Sequence, residues 1–320
     1  NLVLKMDPEN LDALKMLSMI YGKLGRNDER AISIYVKILD YGEPPPEIIK
    51  ILANKLNEEG SGLHGQFRIK IFSRAVEFFP SNEKYWVSLI DLISEELELE
   101  PFTKILEAAY EKKIRISVCA EKLAKLAYDK GEIDKALIYA KTVLAHNPYK
   151  SEIYNLVGEI LIEKGSLEEA KDVLNNALIY DSGNFYAYLN SAKVMHLMKN
   201  FPLALKYLER SLNINKYYLP GILLYAEISV ERNINLDNAK NALKFVKDIY
   251  QSNWEISYWL AVINNLKGDS ELALMQIDEA LGFELNLESV LLKAEILKQD
   301  GKYQEALDFL NQQKDDINAP

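Results

Sequence analysis

The residues of this 320-residue sequence that could do chemistry are three histidines, one cysteine and a short glycine-rich stretch. A metal site needs His, Cys or carboxylate ligands at short, regular spacing. His64, His146 and His196 have none, falling in a turn, near a helix end and on a helix face. The stretch EEGSGLHG, residues 58–65, invites a phosphate-loop reading, but no GK[ST] follows it and no strand precedes it. It reads instead as a lengthened turn between two helices. Cys119 can form no internal disulfide, and early in a helix it reads as a packing residue. No HExxH, GxSxG or CxxC occurs, and adjacent carboxylates such as Glu168 and Glu169 are expected on any solvated helix face. The expectation is a protein that is not an enzyme and uses no cofactor or metal.

The elements that position these residues are repeats. From Ser117 to Tyr218, three consecutive segments of 34 residues superpose without a gap. Ala124, Gly158, Ala192 and Ala226 recur at that interval, and Ala136, Ala170 and Ala204 recur twelve residues later. A third register, Ala75, Ala109, Val143, Ala177 and Ser211, carries the period upstream of Ser117. Small residues at fixed phases mark places where helices touch, and this period indicates a helical solenoid, in which each unit contacts only its neighbours. The net charge of −10 argues against nucleic acid as the main partner, because phosphate backbones call for a basic stripe. No run of 18 apolar residues is present, so no membrane span is encoded. The compartment stays open between cytoplasm and periplasm. The frequent Lys, Ile, Asn and Tyr point to an AT-rich bacterial genome.

The pattern resembles the tetratricopeptide repeat family, whose unit is a pair of antiparallel helices, A and B. In residues 117–150 the family's small helix A residue falls at Ala124, its turn glycine at Gly131, its helix B alanine at Ala136 and its closing proline at Pro148. Gly158, Gly165 and Ala170 repeat this, as do Ala261, Gly268 and Ala273, then Ala294, Gly301 and Ala306. The match is degenerate, with the family's early helix A tryptophan present only as Trp86 and its helix A tyrosine only as Tyr21. The resemblance implies an all-α, right-handed solenoid of about nine repeats.

In chain order, residues 1–10 read as the end of a truncated upstream repeat, which implies an excised or processed product. Residues 11–46 read as a first repeat with a proline-rich connection, Pro44 to Pro46. Residues 47–116 read as two irregular repeats, the first with helices over 47–57 and 66–79. In the second, Pro101 opens helix B and Lys112, Lys113 and Arg115 close it, after an acidic run from Asp91 to Glu100 expected to be solvated. Residues 117–320 read as six more regular repeats, with Pro202 and Pro220 in first helical turns. No polar capping helix follows, so the ends are candidates for homo-oligomer contacts.

What remains is surface. Positions 2, 5, 9 and 12 of each helix A share one face by three- and four-residue spacing, and in the family that face lines a concave groove. The candidate partner-binding residues there are Tyr128, Asn155, Glu159, Tyr186, Leu189, Lys193, His196, Leu223, Glu227, Tyr258, Val262 and Asn265. Tyr186 and Tyr258 are expected to be exposed anchors, since interface energy concentrates in aromatic side chains. The column Lys125, Glu159, Lys193, Glu227 is expected to pair charges along the groove floor. The basic and Asn cluster with which chaperone-binding members hold a C-terminal carboxylate is absent. The reading is a scaffold or adaptor that grips a protein or peptide segment. Its alternative is a structural component of a bacterial envelope, secretion or flagellar assembly, built through the solenoid ends.

Overall fold

The small residues that set the 34-residue register are withdrawn from solvent. Ala124, Ala192, Ala226, Ala136, Ala170 and Ala204 have no exposed surface, and Gly158 is buried. A computed structural model describes residues 3–8, 10–26, 28–41, 44–58, 65–96 and 98–317. Among them the chain forms nineteen α-helices and no strand. They gather into two compact units, residues 1–148 and 149–320.

The first unit begins with the short α1 (Val3–Met6) and continues with four antiparallel pairs. These are α2 (Leu11–Lys23) with α3 (Glu29–Tyr41), α4 (Pro46–Glu58) with α5 (Gly65–Phe78), α6 (Glu83–Ile93) with α7 (Thr103–Glu111), and α8 (Ile116–Asp129) with α9 (Ile133–His146). One continuous core joins them, with Tyr35, Phe72 and Tyr85 among its largest fully buried side chains. Pro46 opens α4, where the missing N–H costs no intrahelical bond. The turn between α4 and α5, with His64, lies outside the described residues.

Helix α7 ends at Glu111 with Lys112 as its C-cap, and the N–H groups of Lys112 and Lys113 donate to the Ala108 and Tyr110 carbonyls. Lys113 and Arg115 then turn the chain into α8 at φ of 60° and 46°. A left-handed pair redirects the chain within a few residues, and Arg115 then reaches back to Asp91 at 2.9 Å. Glu100 of the acidic run is likewise paired, with Lys130 at 2.8 Å.

The second unit has five pairs: α10 (Ser151–Glu163) with α11 (Leu167–Tyr180), α12 (Phe185–Leu197) with α13 (Phe201–Ile214), α14 (Leu219–Arg232) with α15 (Leu236–Lys247), α16 (Trp254–Leu266) with α17 (Ser270–Phe283), and α18 (Leu287–Gln299) with α19 (Tyr303–Ile317). Asn184, Asn200, Asn253, Asp269 and Asn286 each cap a helix by accepting a bond from a first-turn N–H. The A-to-B turns close on Gly165, Gly268 and Gly301, all at positive φ, which glycine adopts without a Cβ clash. Between α14 and α15 the turn is carried instead by Asn233 and Asn235, both at φ of 53°. Consecutive A helices are also tied directly. Ser151 Oγ donates to the Ala177 carbonyl at 2.9 Å and accepts from Asn184 Nδ2 at 2.8 Å, fixing the start of α12 against α10 and α11.

Candidate functional site

In the second unit the helix A surface is built around a polar contact between α10 and α12. Asn155 and Glu159 are one turn apart on α10, and Tyr186 and Asn190 are one turn apart on α12, so each pair shares a helix face. Asn190 Nδ2 donates to Asn155 Oδ1 and to Glu159 Oε1, both at 2.9 Å. Asn155 Nδ2 approaches the same Glu159 oxygen at 3.4 Å. Asn190 is buried, yet its Oδ1 has no hydrogen-bond partner. Beside this network the ring of Tyr186 meets that of Tyr218, the residue capping α14, edge to face at 5.5 Å, and Phe185 packs on both. Burial pushes the Tyr218 phenol above its ordinary pKa, helped by the neighbouring Tyr186 and Glu159.

The charge column does not pair as expected. No ion pair within 4 Å joins Lys193 to Glu159 or Glu227, because Asn190 supplies the donor that faces Glu159. Lys193 and Glu227 are exposed. His196 is half-buried, its Nδ1 shielded without a hydrogen bond and 4.0 Å from Glu231 Oε2.

Two positions of the expected strip differ from a simple surface. Leu189 is 2% exposed and packs near Gly221 at the start of α14, so it belongs to the core. It lies on the side of α12 turned toward α14, and a short apolar side chain there fills the seam. Tyr258 is half-buried rather than open, packed on the Ala261, Ile277 and Ala280 cluster, and burial raises its phenol pKa, with a further contribution from Glu288. Tyr186 is 44% exposed. Leu223, Val262 and Asn265 are half-buried on α14 and α16, and Tyr128 is half-buried on α8 of the first unit.

Asn190, Phe185 and Tyr218 stand outside the strip that helix A periodicity predicts. An Asn where α10, α14, α16 and α18 carry Leu156, Leu224, Trp259 and Leu292 was the available signal for the first. Nor does periodicity reveal a cavity of about 530 Å³ in the first unit, lined by Asn54, Asn57, Asn82, Lys84, Tyr85 and Ser88. There Tyr85 donates to Asn54 at 2.7 Å and Ser88 to Asn57 at 2.6 Å, again tying one helix A to the next.

The chemistry-bearing residues are placed as follows. Cys119 is buried, and burial pushes its thiol up to about 11. His146 Nδ1 lies 2.9 Å from the Thr142 carbonyl oxygen on an exposed face, and Glu168 pairs with Lys171. Among the described residues no group of three or more His, Cys, Asp or Glu could hold a metal ion, and no helix is long and apolar enough to cross a membrane.

Residues 121–185 match the family model described as tetratricopeptide repeat. The chain carries tetratricopeptide repeats. Its helical pairs are similar in fold to PilF of Pseudomonas aeruginosa, at 14% identity and a TM-score of 0.53, with 62% of this chain and 90% of that one covered. YrrB, a tetratricopeptide repeat protein with an unusual peptide-binding site, matches at 21% identity and a TM-score of 0.50, covering 60% and 97%. These likenesses show the fold alone. By sequence, the BBSome complex member bbs-4 of Caenorhabditis elegans is 24% identical over 213 residues, 63% of this chain. This tetratricopeptide repeat chain spans 45% of that relative's length.

Proposed function

We propose that this protein is a protein-interaction scaffold that receives an extended or helical segment of a partner on the helix A surface of α10, α12 and α14. The observation that carries the reading is the Asn190 network. A buried carboxamide leaves one acceptor unused within reach of a half-buried carboxylate and an exposed tyrosine, and polar groups held this way cost stability unless something completes them. Tyr186 supplies the aromatic contact that interface anchors share, and Lys193 and Glu227 border it with charges that set register more than affinity. Membership of a multi-protein complex, which the name of the matched bbs-4 states for that protein, is consistent with such a role.

The test is capture of partners from cell extract by the wild-type chain and by Tyr186→Ala with Lys193→Glu. The variant is expected to fold as the wild type does and to lose a partner that the wild type retains. Identical captured sets would sink the reading.

The assembly alternative draws on a different surface. Tyr303, Leu307 and Leu310 of α19 are exposed at i, i+4 and i+7, an apolar stripe able to join chains. Light scattering of wild type and Leu307→Glu tests it, a concentration-dependent mass increase lost in the variant being the result that favours it.

A further inference from the structure

The surface around Asn190 is short of donors. Asn190 Oδ1 has no partner, and Glu159 Oε1 carries both amide bonds while its Oε2 receives none. Among the described residues no cation lies within 4 Å of Glu159, and Glu152, exposed two turns earlier on α10, adds charge of the same sign. Lys193, the basic side chain that α12 contributes to this face, is exposed and unpaired with Glu159. Next to these acceptors stand the rings of Tyr186 and Tyr218, set edge to face at 5.5 Å. An acid, two unused acceptor positions and an aromatic face in one place specify a ligand group that is cationic, planar and rich in donors. A guanidinium has five N–H donors in a rigid fork, so it can serve a carboxylate and a carboxamide oxygen together and still lie on a ring. An ammonium presents a point charge and does this less well. Tyr186 lies one turn before Asn190 on the same face and is exposed, so a ligand group seated on its ring stands beside the Asn190 side chain.

Resting on the scaffold reading above, we propose that Glu159, Asn190 and the Tyr186 and Tyr218 rings form a pocket for an arginine side chain of the partner segment. Glu159 holds the charge, Asn190 Oδ1 takes a second N–H, and the rings flank the guanidinium plane.

The experiment is an NMR titration of the full chain with the blocked peptide acetyl-Ala-Ala-Arg-Ala-Ala-amide at millimolar concentration, beside its citrulline and lysine counterparts. Citrulline keeps the shape and loses the charge. Saturable shifts are expected at the Asn155 and Asn190 side-chain amides, with citrulline at least tenfold weaker and lysine intermediate. Glu159→Gln keeps an oxygen for Asn190 and is expected to fold, with an unchanged melting curve, and to lose arginine binding tenfold or more. Absence of saturable shifts, equal binding of citrulline, or undiminished binding to Glu159→Gln overturns the pocket. A captured partner that needs Tyr186 but binds Glu159→Gln as tightly as wild type overturns the arginine assignment alone and leaves the scaffold reading standing. Arginine binding without any partner lost on Tyr186→Ala keeps the pocket and sinks the scaffold reading.

Discussion

A Cβ atom placed on Gly158 would lie 2.5 Å from Leu174 Cδ2 and 2.7 Å from its Cγ, so α10 and α11 meet closely at these two residues. Helix propensity favours Gly158→Ala by about 1 kcal/mol. Overpacking opposes it by about 1–3 kcal/mol, and since the Leu174 branch point as well as its tip is in the way, the second effect wins. Gly158→Ala is expected to lower the melting temperature, and Gly158→Ala combined with Leu174→Ala to recover part of the loss relative to the sum of the two single changes. An alanine variant more stable than wild type would contradict the contact.

Lys199 follows the C-cap of α12 with φ of 60°, where Gly165 and Gly268 stand in other helical pairs at 72° and 79°. A left-handed residue with a Cβ costs about 1–2 kcal/mol, and glycine gives back about 0.4–1 kcal/mol through the greater freedom of the unfolded chain. Lys199→Gly is therefore expected to stabilise by up to about 1 kcal/mol, read as a higher denaturant midpoint at unchanged slope. A lower midpoint would mean that the lysine makes a contact outweighing its strain.

The helical pairs were legible because packing between neighbours recurs at a fixed interval, and each recurrence needs a small residue at the same phase, as at Ala124, Gly158 and Ala192. The surface was less legible because period says which face a residue is on and not what covers it. Leu189 and Tyr186 both fit the expected strip, yet α14 packs over the first and leaves the second open. Likewise the charge column looked complementary along Glu159 and Lys193, but Asn190, three residues before Lys193, occupies the facing position. The Asn at that phase is visible in the sequence, but its bonds to Asn155 and Glu159 emerge only when the two A helices are seen together.

Cys119 gives a reporter of unfolding. Its thiol is raised to about 11 by burial, so at pH 8 roughly one part in a thousand is thiolate, against about a quarter for an ordinary thiol. The native chain is expected to react with iodoacetamide at least about a hundredfold more slowly than the denatured chain. The raised folded pKa contributes stability that is present below the unfolded value near 8.5 and is lost as pH rises from there toward 11. Rapid modification of the native chain at pH 8 would place Cys119 outside the core.

Asn190→Asp tests the network by charge. The substitution keeps the shape of the side chain and sets a second carboxylate within hydrogen-bonding distance of Glu159, in place of the amide that now donates at 2.9 Å. Two adjacent carboxylates cannot both ionise cheaply, so the pair is expected to retain a proton to higher pH than either acid does in the unfolded chain. With a folded pKa above the unfolded one, the bond between the protonated and ionised members stabilises at low pH and is lost as pH rises through the folded value. At pH 7 the variant should therefore be less stable than wild type by about 1–3 kcal/mol, the cost of a buried polar group that has lost its donor. The gap should narrow as pH falls from about 7 toward 4, where an uncharged donor is again available. Asn190→Leu serves as the control, since it removes the donor without adding charge and should show no such recovery. Chemical denaturation at several pH values decides it, and a deficit independent of pH would mean that the introduced carboxylate does not face Glu159.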